Sequence, residues 1–157
     1  MNLFIFLVTY FLLLFSIIGY GYILNANVLK LKNLNFGYLG FFGIFVLLFI
    51  SYVSHIFFAH DKLFNSIILI IGIVSFINLL LNIDKENKKK LLFQIGLFII
   101  LIFFVLSAKT HDDFEYYHFA YIHLLTTEPT IYGIGNFNHG FRTPSSIFYL
   151  SSLFYLP

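Results

Sequence analysis

The stretch YLGFFGIFVLLFISYVSHIFFAHDKLFNSIILIIGIVSFINLLLNI, residues 38–83, decides the fold of this 157-residue chain. It contains two apolar runs, 38–59 and 63–83, separated only by the sequence His60-Asp61-Lys62. Each run is long enough to cross a lipid bilayer as a helix, which takes about 20 residues at a rise of about 1.5 Å per residue. The stretch therefore predicts two membrane-spanning helices joined in a tight antiparallel hairpin.

Two more apolar runs of similar length occupy residues 2–24 and 91–107. The chain is 60% hydrophobic and only 10% charged, with a mean hydropathy of +0.91, which lies outside the usual mix for a soluble domain. The first run has neither a basic leading region nor a small-residue cleavage site, so we expect it to remain in the mature protein. The composition predicts an all-α, multispanning protein with four transmembrane helices in residues 1–107.

The composition also excludes several classes of function. The chain has no cysteine, which rules out disulfides, thiolate metal sites and cysteine nucleophiles. Its net charge is only +2, and no groove of basic and aromatic residues is visible, so nucleic acid is not an expected partner.

Lysines collect in alternate loops between the predicted spans. Lys30 and Lys32 follow the first span, and the sequence DKENKKK, residues 84–90, follows the third. Loops rich in lysine favour the cytoplasmic side of a membrane. We therefore expect the N-terminus, the turn at His60 and all residues after Ser107 to be extracytoplasmic, with the lipid bilayer as the first partner of the chain.

The stretch AKTHDDFEYYHFAYIHLL, residues 108–125, gathers charge directly after the fourth span. Thr110 and Asp113 fit a capping box, which predicts a helix that begins at Thr110. Helical spacing places Phe114, Tyr117 and Tyr121 on one face, as in an amphipathic helix that lies along the membrane surface. Capping of the helix requires only one carboxylate. Because Asp112 and Asp113 are adjacent, the other one is available for chemistry.

A metal site is an alternative interpretation of the same stretch. His111, Glu115 and His118 recur at helical spacing and could present two imidazoles and a carboxylate to a divalent ion. The other interpretation is that these polar residues face water on an interfacial helix.

The following segment, residues 126–143, is rich in Gly, Asn and Thr and has the composition of an ordered loop. Its GIGNFNHG sequence follows no strand and lacks a Gly-Lys-Ser/Thr ending, which excludes a nucleotide P-loop. We expect its glycines to permit tight turns, while His139 contacts either sugar hydroxyls or backbone. Thr143 and Pro144 predict the start of a fifth spanning helix, residues 144–157, which breaks off at Pro157 and suggests an N-terminal fragment of a longer protein.

Within the spans, His55 is a functional candidate because ionisable groups are rare in membranes, and a hydrogen-bonded structural role is the alternative. Gly37, Gly40 and Gly43 are expected to permit close packing of helices.

The sequences THDDFEYYHFAYIHLL, from residue 110, and IYGIGNFNHGFRTPSSIFYLSSLFYLP, from residue 131, are similar to the first large extracytoplasmic loop of a bacterial family of polytopic membrane proteins. That family in turn resembles GT-C type glycosyltransferases, and the similarity covers about residues 107–157. It implies transfer of a sugar from a polyprenyl-phosphate donor to a glycan, lipid or protein acceptor of the envelope, in the inner membrane of a bacterium. Four spans precede the acidic loop here, whereas typical GT-C enzymes have one.

The resemblance also assigns roles to residues. Asp112 or Asp113 would accept the proton of the acceptor hydroxyl, and the sequence leaves open which of them does so. The leaving phosphate needs positive charge from Arg142 and Lys109, although Arg142 could equally be an interfacial anchor. A divalent ion held by the acid pair is a candidate cofactor, and the further candidate substrate ligands are Glu115, His118 and His139. The alternative function is a non-catalytic protein of envelope assembly or transport.

Overall fold

The computed structural model describes residues 2–32, 35–109 and 112–156, apart from the side chains of Lys85 and Glu86. These residues form an all-helical structure that contains no strand. The described part of the chain contains six α-helices: α1 (Leu3–Leu24), α2 (Phe36–His55), α3 (Lys62–Asn82), α4 (Lys85–Ser107), α5 (Phe119–Thr127) and α6 (Ser146–Leu153). We call α1 to α4 the bundle and residues 112–156 the α5–α6 segment.

Four stretches of the bundle are long and apolar enough to cross a membrane, as the sequence predicts. They are Leu3–Leu29, Phe36–His55, Lys62–Asn82 and Asn87–Ser107. The first includes a π-helical turn, Asn25–Leu29, that continues α1. The prediction of an all-α protein with four membrane-spanning helices is therefore confirmed at the level of helix length and composition.

Each helix of the bundle begins after an asparagine or aspartate whose side-chain oxygen accepts a backbone N–H of the first turn. The four capping residues are Asn2, Asn35, Asp61 and Asp84. Such caps satisfy donors that have no partner within the helix. Because Asp84 caps α4, this helix begins at Lys85 and not at the predicted Leu91: lysines are good helix formers, so the helix extends beyond its apolar run.

The predicted tight hairpin of the second and third spans is wrong. The helix α2 ends at His55, not at Ala59, so residues 56–61 connect it to α3. α1 packs against both α2 and α3, whereas α2 and α3 barely touch each other. The longer connector allows α1 to lie between them.

Small residues let α1 approach its two neighbours closely. A Cβ atom at Gly19 of α1 would overlap the backbone of Gly72 in α3, and one at Gly21 would overlap the backbone of Leu39 in α2. A side chain at any of these glycines would push two helices apart, which is the usual reason for small residues at membrane helix contacts.

Of the three glycines predicted to serve close packing, Gly43 alone meets another helix in this way. A Cβ atom there would overlap the carbonyl of Ile17 in α1. A Cβ atom at Gly40 would come no closer than 4.0 Å to Ile18, and one at Gly37 would approach only Asn35, its near neighbour in sequence. The prediction holds for Gly43 and fails for the other two, because Gly37 and Gly40 line a gap beside Ile18 of α1 and do not meet its backbone.

The predicted helix start at Thr110 lies outside the described residues. Within residues 112–156 the first helix is a π-helical turn, Phe114–His118, that leads into α5. Asp113 occupies the N-cap position, but its side chain makes no capping hydrogen bond.

The fifth apolar run forms α6, a helix of eight residues, where the sequence predicts the start of a spanning helix. Its N-cap is Ser145, whose Oγ accepts the N–H of Ile147 at 3.4 Å, so the helix begins at Ser146 and not at the predicted Pro144. The chain leaves helical geometry after Leu153.

Candidate functional site

A buried histidine fastens the α5–α6 segment to the bundle. His60 lies in the connector between α2 and α3 and is fully buried. Its backbone N–H donates to the carbonyl of Leu125 in α5 at 2.9 Å, and its Nδ1 lies 2.7 Å from Oγ of Ser152 in α6. Its Nε2 lies 3.0 Å from Oγ of Ser54 in α2. Through its backbone and its side chain, this one residue therefore joins the bundle to both helices of the segment.

The tautomer of His60 follows from these contacts. The hydroxyl of Ser152 donates to the carbonyl of Tyr149 at 2.8 Å, so its oxygen is left to accept the Nδ1–H of His60. Nε2 then accepts the hydroxyl hydrogen of Ser54. The neutral imidazole satisfies every partner in this arrangement.

We call the contacts of His60 and its neighbours with the α5–α6 segment the junction. Asn65, at the start of α3, forms its second part. Its side-chain nitrogen lies 2.8 Å from the carbonyl of His60, 2.8 Å from that of Ser152 and 3.0 Å from that of Tyr155. Asn65 is fully buried, so these carbonyls have no water to replace its two N–H groups. The amide ties the end of α6 to the connector.

His55, the last residue of α2, clamps the loop after α5. Its Nε2 donates to the carbonyl of Glu128 at 3.0 Å, and its Nδ1 lies 3.1 Å from Oγ1 of Thr130. The backbone N–H of Thr130 returns a hydrogen bond of 3.1 Å to the carbonyl of His55. These contacts favour the structural alternative for His55, because both ring nitrogens are occupied by the protein itself.

The junction is uncharged at neutral pH. Burial, reinforced by the ring of His55 at 5.1 Å, lowers the pKa of His60 to about 4. Burial also raises the pKa of Tyr121, whose hydroxyl lies 3.4 Å from that of Tyr149. Sequence reasoning missed the junction because it treated His60 as part of a short solvated turn. The available signal was the polar set Ser51, Ser54, His55 and Asn65, which flanks the connector on both sides.

We expect Asn65→Ala to destabilise the protein by about 2 kcal/mol, because three buried carbonyls lose the amide that they share. The measurement is the thermal midpoint of unfolding in detergent micelles. The matched control is Asn82→Ala on the same helix, where the exposed amide bonds only within its own turn. Equal midpoints for the two variants would contradict the role assigned to Asn65.

A cleft with a volume of about 440 Å³ opens between the π-helical turn and the loop before α6. It brings together three of the predicted site residues, Asp113, His118 and His139, although they are up to 26 positions apart in sequence. The remaining lining residues are Tyr116, Tyr117, Gly140, Thr143, Ser145 and Phe148.

The cleft is held in shape by aromatic packing. The 3₁₀ turn His139–Phe141 sits directly on Tyr117, because a Cβ atom at Gly140 would come within 2.6 Å of that ring. The ring of Phe141 packs on Tyr121 with centroids 5.2 Å apart. Earlier in the same loop, the predicted tight turn at Gly133 is confirmed by the positive φ of 79° at that residue. The backbone that carries His139 therefore packs on both the π-helical turn and α5.

The other predicted site residues lie outside the cleft. Asp112, Glu115 and Lys109 are exposed and are not among its lining residues. Arg142 is exposed and also lies outside the lining, and its Nε–H donates to the carbonyl of Gly135 at 3.2 Å.

The predicted metal triad is described only in part. His111 lies outside the described residues, and those that are described contain no group of three His, Cys, Asp or Glu side chains placed to hold a metal ion. Glu115 and His118 also differ in position, since only His118 lines the cleft.

The cleft combines groups that suit a polyhydroxylated ring. Its carboxylate can accept a proton, and its imidazoles and hydroxyls both donate and accept hydrogen bonds. The ring of Phe148, 4.9 Å from that of His118, adds an apolar surface against which the C–H face of a sugar can pack.

Comparison with known proteins identifies a family without assigning a chemistry. No curated protein matches the chain, and no solved structure matches it. The model of one family, described as a domain of unknown function (DUF8201), matches residues 1–157. Since this match spans all six helices, the chain belongs to the DUF8201 family.

Proposed function

We propose that this protein is a membrane glycosyltransferase of the GT-C type, which transfers a sugar from a polyprenyl-phosphate donor to an acceptor of the cell envelope. The observation that carries the proposal is the cleft, in which one carboxylate and two imidazoles meet hydroxyl groups beside an aromatic ring. This combination suits both recognition of a sugar and removal of a proton from an attacking hydroxyl.

The arrangement of the helices supports an extracytoplasmic site. The α5–α6 segment is hydrogen-bonded to the connector between α2 and α3, so both lie at the same end of the bundle. The lysine-rich loops precede α2 and α4 at the other end. With those loops in the cytoplasm, the cleft faces outward from a bacterial inner membrane, and α5 lies along the surface near lipid-linked substrates.

Within this proposal Asp113 is the general base, because it lines the cleft and Asp112 does not. His118 and His139 hydrogen-bond the substrate. Lys109 and Arg142 are exposed outside the lining of the cleft, and in this proposal they bind the phosphate of a donor that approaches along the membrane.

The test is sugar transfer by the purified protein in liposomes, with a radiolabelled polyprenyl-phosphate sugar and envelope lipids or glycans as acceptors. We expect label to pass from the donor to an acceptor only in liposomes that contain the protein. Binding of glycans without transfer from any donor would contradict the enzymatic proposal and favour the alternative of a non-catalytic envelope protein.

A further inference from the structure

The junction around His60 is independent of the cleft chemistry and carries an inference of its own. His60 is the point at which the connector, α2, α5 and α6 meet. Ser51 of α2 adds a hydrogen bond of 2.7 Å to the carbonyl of Tyr149 in α6. Buried polar contacts of this kind hold well only while every donor has an acceptor.

A second proton on His60 forces these hydrogen bonds to rearrange and adds a buried charge. Nε2 would become a donor that faces the hydroxyl of Ser54, which must then turn toward its other acceptor, the carbonyl of Ser51 at 3.3 Å. The new positive charge would also be fully buried, 5.1 Å from the ring of His55. A buried charge without a counter-ion is strongly disfavoured.

No nearby group supplies that counter-ion among the residues described. Around His60 the titratable side chains are Tyr52 and His55 on α2, Asp61 and Lys62 at the start of α3, Tyr121 and His123 on α5, Glu128 directly after α5, Tyr149 on α6 and Tyr155 after α6. The two carboxylates in this set, Asp61 and Glu128, are both exposed, and Asp61 accepts the N–H of Phe64 at 2.8 Å as the cap of α3. None of the described carboxylates is hydrogen-bonded to the imidazole.

We propose that His60 is a proton-operated latch, which holds the α5–α6 segment on the bundle while it is neutral and releases the segment when it is protonated. The cleft is part of the α5–α6 segment, which is hydrogen-bonded to the bundle at the junction. Release of the segment would therefore move the cleft away from the bundle. An acidic extracytoplasmic space would thus loosen the site, whatever substrate the site binds.

The direction of the effect follows from the pKa of His60, which burial lowers to about 4. An imidazole released into water titrates near pH 6.5. The attached state is therefore fully favoured above about pH 6.5 and loses favour as the pH falls toward 4, by about tenfold for each pH unit in the ratio of attached to released protein.

The test uses two adjacent threonines of α5 that differ in exposure. Thr126 is 8% exposed, whereas Thr127 is exposed, and the chain has no cysteine of its own. Thr126→Cys and Thr127→Cys each carry a single thiol, and the ratio of their labelling rates removes the intrinsic effect of pH on the reagent. We expect the Thr126 thiol to be protected at about pH 7.5 and to gain at least about tenfold relative to Thr127 by about pH 4.5.

The controls separate the latch from general unfolding. His60→Asn should keep a donor near Ser152 and remove the pH dependence, while His123→Gln, at an exposed histidine of α5, should leave it unchanged. Hydrogen exchange of the wild-type protein is compared as protection factors, which correct for the slower intrinsic exchange at low pH. Protection should fall in α5 and α6 but not in α1 to α3 as the pH falls. A constant labelling ratio, a pH dependence that survives in His60→Asn, or an equal loss of protection in all helices would each overturn the proposal.

Discussion

Replacing Asp113 by asparagine is expected to reduce sugar transfer by about 10²- to 10⁴-fold, whereas the same change at Asp112 leaves transfer near the wild-type rate. The two residues are adjacent in sequence, but only Asp113 lines the cleft. Asparagine keeps the size and much of the hydrogen bonding of aspartate and loses the capacity to accept a proton. The measurement is the initial rate of label transfer in liposomes with matched amounts of each protein.

The pair Asp112→Asn and Asp113→Asn forms its own control, because the two changes remove the same charge at neighbouring positions. Thermal midpoints should agree between the variants, so a selective loss of activity reports on chemistry. Full activity of Asp113→Asn would show that Asp113 is not the base. A selective loss of activity in Asp112→Asn would assign that role to the exposed Asp112.

Gly72→Ala is expected to destabilise the bundle by about 3 kcal/mol, at the upper end of what overpacking usually costs. A Cβ atom at Gly72 would overlap Oγ of Ser16 and lie 2.7 Å from its carbonyl oxygen. The backbone of α1 cannot yield locally, so α1 and α3 must separate along their contact. The thermal midpoint of unfolding in micelles measures the loss.

Gly96→Ala on α4 is the matched control for Gly72→Ala. A Cβ atom at Gly96 would meet no other atom within 4 Å, so alanine there should be neutral or slightly stabilising through its better helix propensity. If both alanines shifted the midpoint alike, the close contact of α1 with α3 would not be a determinant of stability.

The sequence predicted helix existence better than helix contacts. Length and apolarity sufficed for the four spans, and α1 and α3 have nearly the predicted bounds. The partners of the helices were not predictable in the same way. A membrane helix is apolar on the side that faces lipid as well as on the side that faces protein, so hydrophobic periodicity does not mark its packing face.

The sequence predicted which residues could form the candidate site, and local geometry determined which of them line the cleft. In a regular α-helix Phe114, Tyr117 and Tyr121 would share one face. The π-helical turn has hydrogen bonds between residues five apart, one more than in an α-helix, and this changes the direction of the side chains in the turn. Tyr117 and Tyr121 remain packed near Phe148, while Phe114 is 38% exposed.

By itself the sequence determined that this protein is a bundle of four membrane-length helices followed by a polar segment, because bilayer thickness requires long apolar runs. The tertiary structure alone decided that α1 lies between α2 and α3, that His60 is buried, and that Asp113 lines the cleft. These outcomes depend on contacts between residues far apart in the chain. The polar partners of His60 in α5 and α6 turn a short link between two spans into the joint that holds the candidate site.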